Sequence, residues 1–137
     1  MQKANITKEK VWVCFMPHAM DDRATLFQKL FRWFLNHFKK NFSHVVICKR
    51  AEISGNIIFF NCCSDNFDVK EISKIDFFNF ITKKEVTTVV SEVKTGPIKA
   101  KGLITCVSTA KHFLGIDKPF IITPYQLYKY LEKQNGK

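Results

Sequence analysis

The chain has 137 residues, of which 46% are hydrophobic and 14% aromatic, including fourteen Phe. That length suits one domain with a real core and is short for two, and the apolar content excludes an intrinsically disordered chain. The formal net charge of +10 gives a generic attraction for phosphate, nucleic acid or acidic polymers, but the lysines are dispersed and no nucleic-acid module motif stands in the sequence, so no sequence-specific nucleic-acid partner is expected.

No run approaches the roughly eighteen apolar residues that a spanning helix needs, so no membrane span is expected. Residues 1–10 are polar rather than the apolar core of a signal peptide, which implies cytosolic or virion-internal residence without secretion. The five cysteines, Cys14, Cys48, Cys62, Cys63 and Cys106, are odd in number and lack framework spacing. They read as reduced thiols, with Cys62 and Cys63 as two packed thiols rather than a bridge.

In chain order, residues 11–15 alternate and are rich in β-branched and aromatic types, predicting a strand that closes at Pro17. Asp21 or Asp22 can cap a following helix. Leu26, Phe27, Leu30, Phe31, Phe34, Leu35 and Phe38 recur at helical spacing and predict a stripe packed on a core. The runs FSHVVICKR and IIFFNCC flank a Gly-Asn turn and predict a hairpin whose nearly continuous apolar character implies cover on both faces. Residues 65–68 read as a loop with a cap. Residues 69–81 carry a weaker helical stripe through Ile72, Ile75 and Phe78.

Residues 86–93 predict a strand, Gly96-Pro97 a turn, and residues 98–104 a further strand. Thr105 then caps a helix over 106–114 that Gly115 stops. Thr123 and Pro124 open a last helix carrying Leu127, Tyr128 and Leu131 inward. Segregated blocks of helices and a mostly antiparallel sheet give an α+β domain spanning residues 1–137.

Two positions combine a reactive residue with a place that activates it. Cys106 falls in the first turn of its helix, where unpaired amides and the positive end of the macrodipole favour a thiolate and can hold an oxyanion. His44 opens a strand, from whose edge an imidazole can serve as the base a thiol requires. Folding the hairpin near Ile53 puts Asn61 or Cys62 opposite His44. Asn61 is preferred, because its carbonyl can accept the ring N–H and fix the tautomer; a one-residue slip brings Ser64 or Asp65 into competition.

Other histidines suit the role less well. His18 stands beside the capping acids Asp21 and Asp22, His37 falls off its helix stripe, and His112 lies six residues beyond Cys106, on another side of the helix. A zinc site from His44, Cys48, Cys62 and Cys63 is disfavoured. Four strand residues span roughly 13 Å, too far for His44 and Cys48 to share one tetrahedral ion. Neither a metal nor a cofactor is expected.

The run Phe42-Ser43-His44-Val45-Val46-Ile47, followed far downstream by Ile104-Thr105-Cys106-Val107-Ser108, resembles the circularly permuted branch of the NlpC/P60 papain-like superfamily over roughly residues 43–115. The segment CVSTAKHFLGI followed by TPYQLYKYL is similar to the end of small uncharacterised bacteriophage proteins of this type. The resemblance implies a papain-like fold, a nucleophile at Cys106, a base at His44 and a third polar residue at Asn61. It implies amide or thioester substrates such as peptidoglycan stem peptides, and residence in the host cytoplasm or the phage virion. The chain departs from the pattern in carrying no separate wall-binding module or linker. Since relatives on this fold include acyltransferases and inactive members, a non-catalytic structural protein binding other virion proteins is the alternative.

Overall fold

A computed structural model describes residues 9–17, 26, 30, 41–62, 67–93 and 105–136. Among these residues five strands form one antiparallel sheet: β1 (Glu9–Met16), β2 (His44–Arg50), β3 (Ile57–Cys62), β4 (Phe67–Ile72) and β5 (Thr87–Val93), in the order β4-β3-β2-β1-β5. Among the described residues three helices with defined bounds accompany it: α1 (Lys74–Ile81), α2 (Cys106–Leu114) and α3 (Pro124–Asn135). The domain class is therefore α+β, as the segregated pattern predicts.

The central strands are buried on both faces, which is why β2 reads as an unbroken apolar run. On one face Val11, Val13 and Phe15 of β1 and Val45 and Ile47 of β2 pack against Val107, Ala110 and Leu114 of α2 and Leu127 and Leu131 of α3. On the other, Cys14, Val46, Cys48, Ile57 and Phe59 meet Phe77 of α1. Trp12 rests on Phe77 with ring centroids 5.1 Å apart, and Phe59 meets Phe80 edge-on at 5.3 Å. Alternation of side chains along each strand separates these two layers.

The β2–β3 turn is closed by Ala51 N–H donating to Asn56 O (2.8 Å) and Gly55 N–H donating to Ala51 O (3.1 Å). Gly55 has φ of 72°, a left-handed conformation glycine adopts without a Cβ clash. Both downstream helices start where their caps predict, Thr105 and Thr123 closing capping boxes with Ser108 and Gln126, and α2 also stops where predicted, with Gly115 at φ of 65°.

Two expectations are corrected. The segment 69–81 is not one helix, because FDVKEI alternates and its backbone pairs with β3 from Phe67 to Ile72. Ser73, accepting from Asp76 N–H, then caps a shorter α1. That helix buries Phe77 and leaves Ile75 and Phe78 exposed, so its inward face is rotated from the stripe that spacing suggests. Likewise Leu26 and Leu30 are helical but 84% and 60% exposed, so these two do not enter the core. The rest of that stripe, the turn at Gly96-Pro97, the strand expected over 98–104, residues 63–66, His18 and His37 lie outside the described residues.

Leu127 is fully buried between the sheet and α2. Leu127→Ala should lower the unfolding free energy by about 2–5 kcal/mol through lost transfer energy plus a residual cavity. Leu30→Gln, at an exposed position, should change it by less than about 0.5 kcal/mol. Urea unfolding followed by circular dichroism measures both.

Candidate functional site

His44 is the first residue of β2 and is 5% exposed. The chain enters it through Asn41, whose φ of 72° is tolerated by Asn at a tight turn, followed by Phe42 and the buried Ser43. Across the sheet His44 pairs in register with Met16 of β1.

The imidazole has its partner on β3: His44 Nε2–H donates to Asn61 Oδ1 at 2.6 Å. The register differs from the one the hairpin sequence suggests. Ile47 faces Phe60 and Arg50 faces Ile57. Continued, that register puts Val46, not His44, across from Asn61. His44 and Asn61 are therefore diagonal neighbours on one face, within reach of these two side chains. The expected partner is reached by a different pairing. With the proton on Nε2, the lone pair is on Nδ1, which is then the ring atom able to accept a proton.

Cys106 is the first residue of α2, half-buried and outside any disulfide. Ser108 N–H donates to Thr105 Oγ1 (3.0 Å) and Thr105 N–H to Ser108 Oγ (2.7 Å), which fixes the first turn. The capping box engages Thr105 and Ser108, and Cys106 and Val107 lie in the first turn, at the positive end of the helix. His112, in the last turn of α2, stands at the opposite end of the helix from Cys106.

The direction of α2 follows from its ends. Leu114, Gly115 and Ile116 border a shallow hollow of about 520 Å³ with Lys10 and Glu92, at the end of the sheet remote from His44. Phe113 meets Phe60 in mid-sheet at 4.8 Å. The start of α2, about 13 Å away by helical rise, is thus directed toward the His44 end. Both α2 and α3 begin at that end: Tyr125, in the first turn of α3, meets the ring of Phe42 at 5.2 Å, while Asn135 at its far end donates to Val90 O. The loop between them runs back along α2, held by Lys111 Nζ donating to Lys118 O and Ile121 O.

The two sides of the sheet are not equivalent here. By strand alternation His44 belongs with Val46 and Cys48 on the α1 side, whereas Cys106 packs at the margin of the α2–α3 core. The one route by which the imidazole could approach the sulfur is around the end of β2, not across its face.

The thiols of Cys14 and Cys48 share the His44 side of the sheet, and nothing local in the sequence joins them. They are hydrogen-bonded to each other, and Thr88 Oγ1 donates to Cys14 Sγ at 3.8 Å. The bond from Cys48, with support from Thr88, holds the Cys14 thiol below its ordinary value. The same bond, together with burial, pushes Cys48 up. Both residues are fully buried, so this pair is internally satisfied and closed to solvent. Among the described residues no three His, Cys, Asp or Glu side chains cluster as metal ligands, and no helix is long and apolar enough to cross a membrane.

No family model matches the chain, and no curated protein or solved structure does either.

Removing the acceptor on β3 leaves a buried ring N–H without that partner. Asn61→Ala should destabilise the protein by about 1–3 kcal/mol. It should also change the ¹⁵N shifts of His44 from a single Nε2–H tautomer to a mixture, which a merely local packing loss would not do. Urea unfolding and nitrogen-detected histidine spectra check the two parts.

Proposed function

We propose that this protein is a cysteine hydrolase of papain-like, circularly permuted NlpC/P60 type, acting on amide or thioester bonds such as those of peptidoglycan stem peptides. The observation that carries the reading is the 2.6 Å bond from buried His44 Nε2–H to Asn61 Oδ1. It orients the ring and leaves Nδ1 as the base, as a thiol nucleophile requires. Cys106, heading a capped helix whose start is directed toward the His44 end of the sheet, is the nucleophile of this proposal.

In the reaction, Nδ1 takes the Cys106 proton and the thiolate attacks the substrate carbonyl. The amides of Cys106 and Val107 hold the oxyanion at the helix terminus. As the tetrahedral intermediate collapses, the imidazolium gives its proton to the leaving amine or thiol, and an acyl-enzyme remains. Water, deprotonated by His44, then attacks the thioester, releases the acid and restores the Cys106 thiol. Asn61 is a positioning residue throughout. The proposed places of work are the host cytoplasm or a phage virion.

A second reading has its own support. Alternation puts His44 on the α1 side of the sheet and Cys106 at the margin of the other core layer. That arrangement also suits a non-catalytic virion or interaction protein in which the His44–Asn61 bond only secures a strand end.

Two measurements separate the readings. In the hydrolase, iodoacetamide labels Cys106 faster than free cysteine at neutral pH, read site by site by mass spectrometry, while Cys14 and Cys48 label only on unfolding. Cys106→Ala then abolishes any hydrolysis of peptidoglycan fragments with the fold retained. In the His44→Cys variant, dibromobimane should bridge the introduced thiol to Cys106. Labelling no faster than free cysteine, with no bridge formed, establishes the second reading instead.

A further inference from the structure

A group of aromatic rings stands at the same corner of the molecule. Phe15 pairs with Val45, one residue beyond the Met16–His44 pair, and is fully buried. On it rest Phe42 at 5.7 Å and Tyr128, edge-on, at 5.6 Å. Phe42 meets Tyr128 at 4.9 Å and Tyr125 at 5.2 Å, the latter at 78°. Tyr125 and Tyr128 lie 6.1 Å apart at 32°. Phe42, Tyr125 and Tyr128 are each only half-buried, unlike Phe15 beneath them.

Three observations put this cluster on the α2–α3 side of the sheet, toward its His44 end. Phe42 is two residues from His44 in sequence. Tyr125 is in the first turn of α3, which begins at the same end of the sheet as α2. Cys106 and the rings of Phe42 and Tyr128 all pack against one buried cluster that contains Phe15, Val45 and Val107. Half-exposed rings with a closed floor present π-faces and edges that an additional flat group can meet in offset or edge-on geometry.

We infer that Phe42, Tyr125 and Tyr128 form a substrate-recognition platform next to Cys106 that selects substrates carrying a planar apolar or aromatic group near the scissile carbonyl. This rests on the hydrolase reading, and it adds a specificity that neither His44 nor Asn61 supplies. Tyr128 OH donates to Glu132 at 2.9 Å, so this ring contributes its face and edge while its hydroxyl is held away on α3.

The test compares alkylation of Cys106 by iodoacetamide with that by N-benzyliodoacetamide, each rate divided by the rate with N-acetylcysteine. N-butyliodoacetamide serves as the flexible apolar control. The platform predicts a preference for the benzyl reagent of about five- to tenfold over both others. It predicts that Tyr125→Leu reduces this preference to less than about twofold while the thermal midpoint confirms a folded protein. Because the reagent series is run first on the unaltered protein, a variant that fails to fold does not remove the test. Enhanced reactivity toward iodoacetamide with equal ratios for all three reagents overturns the platform and leaves the nucleophile standing. A benzyl preference that survives Tyr125→Leu also overturns it. Rates at Cys106 no greater than those of N-acetylcysteine for every reagent remove the hydrolase reading, and the platform with it.

Discussion

The antiparallel register of β1 against β2 is the constraint on which the candidate site depends. It sets Phe15 against Val45 and Met16 against His44, so that adjacent residue pairs point into different layers of the protein. The Phe15–Val45 pair becomes the floor under α2 and α3, while the next pair ends the sheet and turns its side chains to the other side. Because the side-chain period of a strand is two, a slip of β2 by one residue would turn His44 under the helices and Val45 to the α1 side. Heavy burial on both faces makes such a slip costly. The position of the imidazole is thus set by apolar packing several residues away from any polar group it meets.

The same packing gives the corner its electrostatic character. α2 and α3 lie side by side with their N-terminal ends toward His44, because the loop joining them runs back along α2 under the hold of Lys111. Two helix starts directed toward one end of the sheet each carry first-turn amides and a positive dipole end. Each start is fixed by a threonine capping box, so the dipoles are held in place rather than frayed. Helix starts of this kind favour a negative charge placed near them. That stabilisation comes from backbone dipoles rather than from side-chain charge, which is why the overall charge of +10 is uninformative about it.

Local chemistry makes much of this legible in the sequence. The threonine caps, Pro124, Gly115 and the turn at Gly55 each act within a few residues, and the elements they bound are readable from spacing alone. The hairpin is readable too, and with it the meeting of His44 and Asn61. Its register is not, since the turn spans residues 51–56 and its closure by Ala51 and Asn56 is one of several pairings the sequence allows. The strand β4 reads as helix because Ile72, Ile75 and Phe78 imitate a helical stripe across what is really a strand, a cap at Ser73 and a short helix. The contact between Cys14 and Cys48 is invisible, since β1 and β2 are separated by residues 17–43 and no local signal says which strands neighbour each other. The aromatic corner is hidden for the same reason: Phe15, Phe42 and Tyr125 are remote in the chain, and only the fold makes them one surface.

The end of β2 is where the two functional readings part. In mid-strand, alternation would separate a side chain on the α1 side from one at the α2–α3 margin by the thickness of the sheet. At a terminal residue that barrier ends with the strand, which the chain enters through Asn41 at positive φ. An imidazole bonded at Nε2 to Asn61 carries its lone pair on its second nitrogen, Nδ1. A helix starting at the same end offers its first residue in that direction. Strand termini beside helix termini are thus suited to joining residues from opposite layers, which neither the sheet face nor the helix flank can do. Burial of His44 is compatible with this role, because a base shielded from bulk water keeps its orientation between proton transfers.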